Sequence, residues 1–381
     1  MESNVNVKQL AQCLLRCLES NVVPMIHGAP GIGKSDIVKT VAKAFNLKLI
    51  DIRLAQADVC DLNGLPHFVK KTYTDENGKE FIREEAEFTP FNTFPVEGMQ
   101  TPLGSNGWLI FFDELSSAPK NVQAAAYKII LDRQVGIYNL HPNCFIICAG
   151  NRKEDKAVVS TMSSALTSRM AHFTLEVDKD TWIKNFAIPH KVDPRIIAFI
   201  SAYPELLNNF DPEQAEETYA CPRTWEFANR LLASKKKPEL DSLDKILLQS
   251  VIGLKAASDF YTFTKYYSDL PTIQEVEANP TQVPLPNEAC AVWALVTSLV
   301  QQTTDKNLDA LIQCVTRCDI SYQVVFVKML LAAHKEYTLE PSVSKLVTKL
   351  GSKLNLEIYM PLVIFILTLF LIVLHEGMKH E

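Results

Sequence analysis

Residues 28–35 read Gly28-Ala29-Pro30-Gly31-Ile32-Gly33-Lys34-Ser35, and the rest of the chain is best read outward from them. The spacing is G-x-x-x-x-G-K-[ST]. Glycines at these places let the backbone close around phosphate oxygens, and successive N–H groups converge as an anion nest. A helix that starts at the last two residues adds its positive N-terminal pole. Lys34 then reaches the β- and γ-phosphates of a nucleoside triphosphate, and the Ser35 hydroxyl is a ligand for Mg²⁺. The flanks agree: residues 22–26 read as a short buried strand, and residues 34–45 carry helical periodicity.

Further short apolar runs follow at 47–52, 108–112, 144–149 and 172–177, with helical patterns between several of them, notably 119–131. An amphipathic helix over 5–19, with Val7, Leu10, Leu14, Leu15 and Leu18 at helical spacing, precedes the first strand. Alternating strands and helices predict an α/β fold, a three-layer αβα domain with a parallel sheet covered on both faces. After about residue 178 the strands stop, and helical patterns run through 179–187, 193–208, 222–234, 241–265, 286–302 and 306–318. The stretch 269–286 carries four prolines and reads as a link between two helical regions. The expected organisation is a nucleotide-binding α/β domain over 1–178, a helical lid over 179–268, a helical C-terminal extension over 269–355, and an apolar tail over 356–381.

A second chemical element stands at Trp108-Leu109-Ile110-Phe111-Phe112-Asp113-Glu114. An apolar strand that ends in Asp-Glu places Asp113 beside the phosphate loop, where it holds Mg²⁺ together with Ser35. Glu114 is then the group that polarises a water for attack on the γ-phosphate. Asn151 ends the next apolar strand, Cys144-Phe145-Ile146-Ile147-Cys148-Ala149-Gly150-Asn151, at the sheet edge where ligands bind in α/β folds; there it orients that water, or else simply turns the chain after Gly150.

Taken together, these residues resemble the AAA+ ATPases, and within them the MoxR-like family, over about residues 6–235. Beyond the two nucleotide motifs, the likeness is carried by Asp61-Leu62-Asn63-Gly64-Leu65-Pro66, Asp132-Arg133-Gln134-Val135, Ala149-Gly150-Asn151-Arg152, Ala165-Leu166-Thr167-Ser168-Arg169 and Cys221-Pro222-Arg223-Thr224-Trp225-Glu226. The resemblance implies that Asn151 is the sensor-1 residue, Arg169 the arginine finger and Arg223 the sensor-2 arginine. It also implies ATP and Mg²⁺ as cofactors, a self-assembled ring (most often a hexamer), a protein client, and a partner bearing a von Willebrand factor A domain. Ser116 is a departure, since relatives usually carry Asn after Asp-Glu-Leu. Physically, a cation supplied across a subunit interface can speed hydrolysis ~10³–10⁵-fold, and Arg223 follows Pro222, a favoured first helical position.

The composition supports a globular chain: of 381 residues, 47% are apolar and 22% charged. With 38 basic and 44 acidic side chains the net charge is −6, so a role in coating nucleic acid is not expected. A nucleic-acid motor or loader of another AAA+ branch, and a nucleotide-switched scaffold, are the alternative readings. The opening MESNVNVKQL lacks the basic start and apolar run of an exported chain, and a cytoplasmic location with reduced thiols is expected. The pairs Cys13/Cys17, Cys144/Cys148 and Cys314/Cys318 lack the convergent ligands a zinc ion needs and read as small hydrophobes.

Residues 60–104 form a long insertion with a hairpin turning at Asn77-Gly78 and an aromatic–proline cluster of Phe88, Pro90, Phe91, Phe94 and Pro95. Such an insertion either projects toward a substrate or packs its own aromatics. A second hairpin is expected over 135–140. Residues 235–237 are all lysine and read as a helix cap. The uncharged stretch 358–374, preceded by Lys345, Lys349 and Lys353, is a membrane-anchor candidate, with a buried terminal helix as its rival.

Overall fold

The computed structural model describes residues 4–152, 155, 162, 164–213, 217–235, 239–268 and 270–351. The apolar stretch 358–374, Lys353, Lys236 and Lys237 lie outside the described residues. Among the described residues no helix is long and apolar enough to cross a membrane. The chain forms two compact units, Met1–Thr181 with Asn208–Thr224, and Trp182–Leu207 with Trp225–Glu381.

In the first unit the elements run β1 (Asn4–Val5), α1 (Val7–Glu19), β2 (Val23–His27), α2 (Lys34–Ala44), β3 (Leu47–Arg53), α3 (Val59–Asn63), β4 (Leu65–Thr74), β5 (Glu80–Thr89), β6 (Gly107–Asp113), α4 (Lys120–Asp132), β7 (Gln134–Val135), β8 (Tyr138–Asn139), β9 (Cys144–Gly150), α5 (Ser164–Thr167) and β10 (Met170–Leu175). Six strands make one sheet in the order β1-β10-β2-β9-β6-β3, and every pairing in it is parallel. The α/β reading of the sequence is therefore realised as a three-layer sandwich.

Side-chain alternation along each strand explains the layers. Leu109 and Phe111 of β6, with Ile147 and Ala149 of β9, pack under α1 and α2 beside Leu10, Leu14, Val38 and Val41. Ile110 and Phe112, with Ile146 and Cys148, face the opposite way and pack with Val122, Ala126 and Ile129 of α4. Strands covered on both faces need apolar residues at successive positions, which is why these segments read as continuous runs. Helix α1 is started by a reciprocal cap: the Gln9 amide donates to Asn6 Oδ1 at 2.9 Å, and the Asn6 amide to Gln9 Oε1 at 3.1 Å. Such a cap contributes ~1 kcal/mol.

The insertion contains the expected hairpin. Strands β4 and β5 pair antiparallel over ten residues each, and the Asp75 carboxylate accepts from the Asn77 and Lys79 amides at 2.9 and 2.8 Å to close the turn. Its two faces differ. One carries Lys71 within 3.7 Å of Glu85 and a 2.8 Å hydrogen bond from the Tyr73 hydroxyl to Glu85. The other leaves Phe68 and Ile82 exposed at 76% and 69%. The aromatic–proline cluster divides: Phe94 and Pro95 are buried, whereas Phe88 and Phe91 are exposed. Strands β7 and β8 form the second hairpin, around Gly136-Ile137.

The second unit is helical. Its elements, including those that cross from the first unit, are α6 (Lys179–Trp182), α7 (Pro194–Ala202), α8 (Pro222–Ala233), α9 (Ser242–Ile252), α10 (Leu254–Ser268), α11 (Ile273–Ala278), α12 (Ala289–Gln301), α13 (Leu308–Val315), α14 (Ile320–Ala333) and α15 (Pro341–Leu350). Phe199, Trp225 and Phe260 form a fully buried aromatic cluster with ring centroids 5.3–5.7 Å apart, and the Trp225 indole donates to Leu206 O at 2.8 Å.

Three sequence expectations are refined here. Gly253 splits 241–265 into two helices. The proline-rich stretch 269–286 holds a short helix, α11, started by a Thr272–Glu275 capping box. Of the described residues from 179 on, 179–181 and Asn208–Thr224 fall in the α/β unit and the rest in the helical one. Lys235, from the lysine run, pairs with Asp244. Of the cysteine pairs, Cys144, Cys148 and Cys314 are buried, while Cys13, Cys17 and Cys318 are half-buried.

Candidate nucleotide site

The phosphate loop leaves the C-terminal end of β2, which lies inside the sheet between β9 and β10. From β2 the chain moves out to β3 at the sheet edge, returns through β6 and β9, and then crosses to β10. Ligands of open parallel sheets bind at such a reversal of strand order. Gly33 is the N-cap of α2 with φ +94°, a left-handed conformation that side chains with a Cβ rarely adopt. Gly31 has φ +79°, and a Cβ there would also lie 2.5 Å from Cys221 Sγ. The loop thus needs glycine once for backbone shape alone and once for both shape and space.

Lys34 is 8% exposed. Its ammonium donates to Gly28 O at 2.7 Å, Ala29 O at 2.9 Å and Asn151 Oδ1 at 3.1 Å. Burial lowers its pKa from 10.5 to about 8; Arg223 and Arg152 push it the same way, while Asp113 and Asp155 oppose them. The cation is held in the loop at a cost that a phosphate would relieve.

Ser35 Oγ donates to Asp113 Oδ2 at 2.9 Å, so two hard oxygen donors from α2 and β6 meet at one point. Strand parity brings this about: Asp113 shares its face of β6 with Leu109 and Phe111, the residues that pack under α2. Asn151 is likewise in phase with Ile147 and Ala149 of β9, and so its amide reaches Lys34. A hydroxyl beside a carboxylate, both oxygen ligands, fits Mg²⁺ and does not suit a thiophilic metal. Among the described residues there is no cluster of His, Cys, Asp or Glu that could hold a metal by itself.

Glu114 follows in the left-handed region, at φ 58° and ψ 29°, and its amide donates to Asp113 Oδ1 at 2.9 Å. That conformation is uncommon for a residue with a Cβ and turns the chain sharply at the strand end. Gly28 through Ser35, Asp113 and Asn151 are therefore gathered around one cradle, with Glu114 on its rim.

The two arginines are placed differently. The Arg223 amide donates to Gly31 O at 3.1 Å, so the first turn of α8 is tied to the phosphate loop by its main chain. The sequence reading puts Arg223 in the lid; in the structure it belongs to the α/β unit. Arg169 precedes Met170, which pairs with Val23 at the start of β2. The cradle begins past the other end of that strand, about 13 Å away along the chain direction. Arg169 Nη1 donates instead to the Tyr127 hydroxyl at 2.6 Å.

Sequence reasoning gave no site role to two neighbours of the cradle, and noted a third, Ser116, only as a departure. Cys221 lies against Gly31. Asp155, 4% exposed, receives Arg152 Nη2 at 2.8 Å. Ser116 Oγ donates to Asn151 O at 3.1 Å. The first two are tertiary neighbours with no local pattern to announce them; Ser116 was visible as a polar residue directly after an apolar strand and Asp-Glu-Leu.

No family model matches the chain, and no curated protein matches it. Among solved structures the chain is similar to a protein described as an ATPase from Cytophaga hutchinsonii, at 14% identity and TM-score 0.33 over 90% of this chain and 80% of that one. It is also similar to a point mutant of RuvB from Thermotoga maritima, at 16% identity and TM-score 0.38 over 69% and 74% of the two chains. The functional reading therefore rests on the cradle's own side chains.

Proposed function

We propose that this chain is a magnesium-dependent ATP hydrolase of the AAA+ type, of its MoxR-like branch, that uses turnover to remodel a protein client. The observation that carries the reading is the meeting of Ser35 Oγ and Asp113 Oδ2 at 2.9 Å beside a buried Lys34. A phosphate-binding helix terminus and a strand-end carboxylate converge there from residues 78 positions apart.

The residues divide the work by position. The main-chain N–H groups of the loop and the α2 N-terminus take the phosphate oxygens. Lys34 exchanges its carbonyl partners for the β- and γ-phosphates. Ser35 and Asp113 would hold Mg²⁺, whose chemistry when bound would be to neutralise charge on the triphosphate. Glu114 accepts a proton from the attacking water as its oxygen bonds to the γ-phosphorus, and the bond to the ADP oxygen breaks. Asn151, held through Oδ1 by Lys34, offers its amide N–H₂ to that water or to a γ-oxygen.

Arg169, just before β10 and level with the start of β2, lies too far from its own cradle to serve it and completes that of a neighbouring subunit, which calls for a ring, a hexamer in our reading. Arg223, fastened beside Gly31, reports the nucleotide's state to the rest of α8. A protein client, a partner with a von Willebrand factor A domain, and a cytoplasmic setting belong to the same reading. The −6 net charge supports a protein client over nucleic acid.

The test compares the wild-type chain with Glu114→Gln. ATP binding with Mg²⁺ is expected in both, and phosphate release only in the wild type, with a loss of at least ~100-fold in the variant. A wild-type chain that binds no ATP in the presence of Mg²⁺ ends the proposal.

A further inference from the structure

Ser116 is 2% exposed and sits in the single helical turn Leu115–Ser117 that follows Glu114. That turn is fastened on both sides. Leu115 is fully buried in the core beneath α4, and the Ser117 amide donates to Glu114 O at 2.9 Å. The Ser116 hydroxyl crosses to the neighbouring strand and donates to Asn151 O at 3.1 Å. Asn151 is thereby held at two points: its main-chain carbonyl by the Glu114 turn, and its side-chain Oδ1 by Lys34 at 3.1 Å.

The packing makes this contact specific to a short side chain. A Cβ on Gly150 would lie 2.4 Å from Ser116 Oγ and 2.9 Å from Ser116 Cβ. The end of β9 therefore approaches the Glu114 turn as closely as a glycine permits, and the hydroxyl fills the remaining gap. A buried hydroxyl whose partner lies on another strand fixes the spacing of the two strand ends as well as satisfying a carbonyl.

We infer that Ser116 is a positioning residue that sets the distance between Glu114 and Asn151, the two groups that flank the attacking water. The inference rests on the proposed ATPase reading and deepens it. Glu114 and Asn151 come from different strands, and only the Ser116 bond ties the turn of one to the end of the other among the described side chains. Without it Glu114 keeps its carboxylate and Asn151 its amide, but the water between them is less well aligned, and misalignment lowers the rate of the chemical step rather than nucleotide affinity.

The experiment uses the full chain with Ser116→Ala and with Ser116→Cys, the latter nearly matching the serine in size but donating weakly. MgATP affinity is measured by titration calorimetry, steady-state phosphate release gives kcat and KM, and thermal melting reports the fold. The expected result is ATP affinity and KM close to wild type, a melting temperature lowered by no more than the few degrees that one buried hydrogen bond is worth, and kcat lowered about tenfold in both variants. If kcat stays within about twofold of wild type, or falls only in step with ATP affinity or melting temperature, the inference is overturned. The Glu114→Gln variant run alongside separates the two layers. Wild-type turnover abolished by Glu114→Gln but untouched by the Ser116 variants overturns this inference alone. A wild-type chain without turnover overturns the parent reading and this one with it.

Discussion

Lys34 offers the most quantitative test, because its charge is needed for phosphate and yet burial works against that charge. With its pKa lowered from 10.5 to about 8, the side chain is almost fully charged at pH 7 and about one-tenth charged at pH 9. If the triphosphate binds only the ammonium form, MgATP affinity falls about tenfold from pH 7 to pH 9, or ~1.4 kcal/mol. Near pH 8 binding should also take up about half a proton per site, since the bound anion drives Lys34 back to its charged form. Titration calorimetry at pH 7, 8 and 9, repeated in buffers of different ionisation enthalpy, measures both quantities. Lys34→Met should bind MgATP far more weakly and lose the pH dependence.

The same group fixes the sign of a stability effect. In the nucleotide-free chain the unfolded state binds more protons than the folded state between pH 8 and 10.5, so stability rises with pH across that window. The full effect is on the order of 3 kcal/mol, and it should be absent from Lys34→Met. A MgATP affinity that stays flat from pH 7 to 9, with no proton uptake at pH 8, would refute the argument that a buried, carbonyl-caged lysine receives the phosphate.

Glu114 lies at φ 58°, so Glu114→Gly should relieve left-handed strain and raise the stability of the α/β unit by ~0.5–1 kcal/mol while abolishing turnover; a loss of stability in urea unfolding would contradict this. Arg169→Ala should hydrolyse ATP poorly alone and recover in mixtures with Lys34→Met, whose intact Arg169 serves the neighbouring cradle; mixtures no more active than the separate variants would dismiss a shared site. Phe111→Ala, in the fully buried layer under α2, should cost ~3–5 kcal/mol and be detected as a lowered urea midpoint. Trp225→Phe should destabilise the helical unit by ~1–2 kcal/mol, since it removes the 2.8 Å bond to Leu206 O; an unchanged melting profile would show that water replaces that bond.

Much of the site was legible because its parts follow local rules. The glycines of the phosphate loop answer to backbone conformation, and the Asp-Glu after Trp108–Phe112 marks the end of a strand whose run of buried residues announces a parallel sheet. The hairpin at Asn77-Gly78 was readable from turn chemistry alone. Helix boundaries were less exact where one residue decides them, as at Gly253. The place of Arg223 was only half legible: Pro222 marks a helix start, but the bond from the Arg223 amide to Gly31 O joins residues nearly two hundred positions apart.

From its amino-acid order alone, then, this chain declares a parallel α/β unit with a phosphate loop and a carboxylate strand, because periodicity and glycine placement are short-range properties. Which side chains meet is a different matter. Strand parity carried across the β6–β9 register aims Asp113 at Ser35 and Asn151 at Lys34, and burial then lowers the lysine's pKa to about 8. The Ser116 bond to Asn151 and the closeness of Gly150 arise only when two strand ends pack against each other. Contacts of that kind depend on distances through space, which the order of residues along the chain does not express.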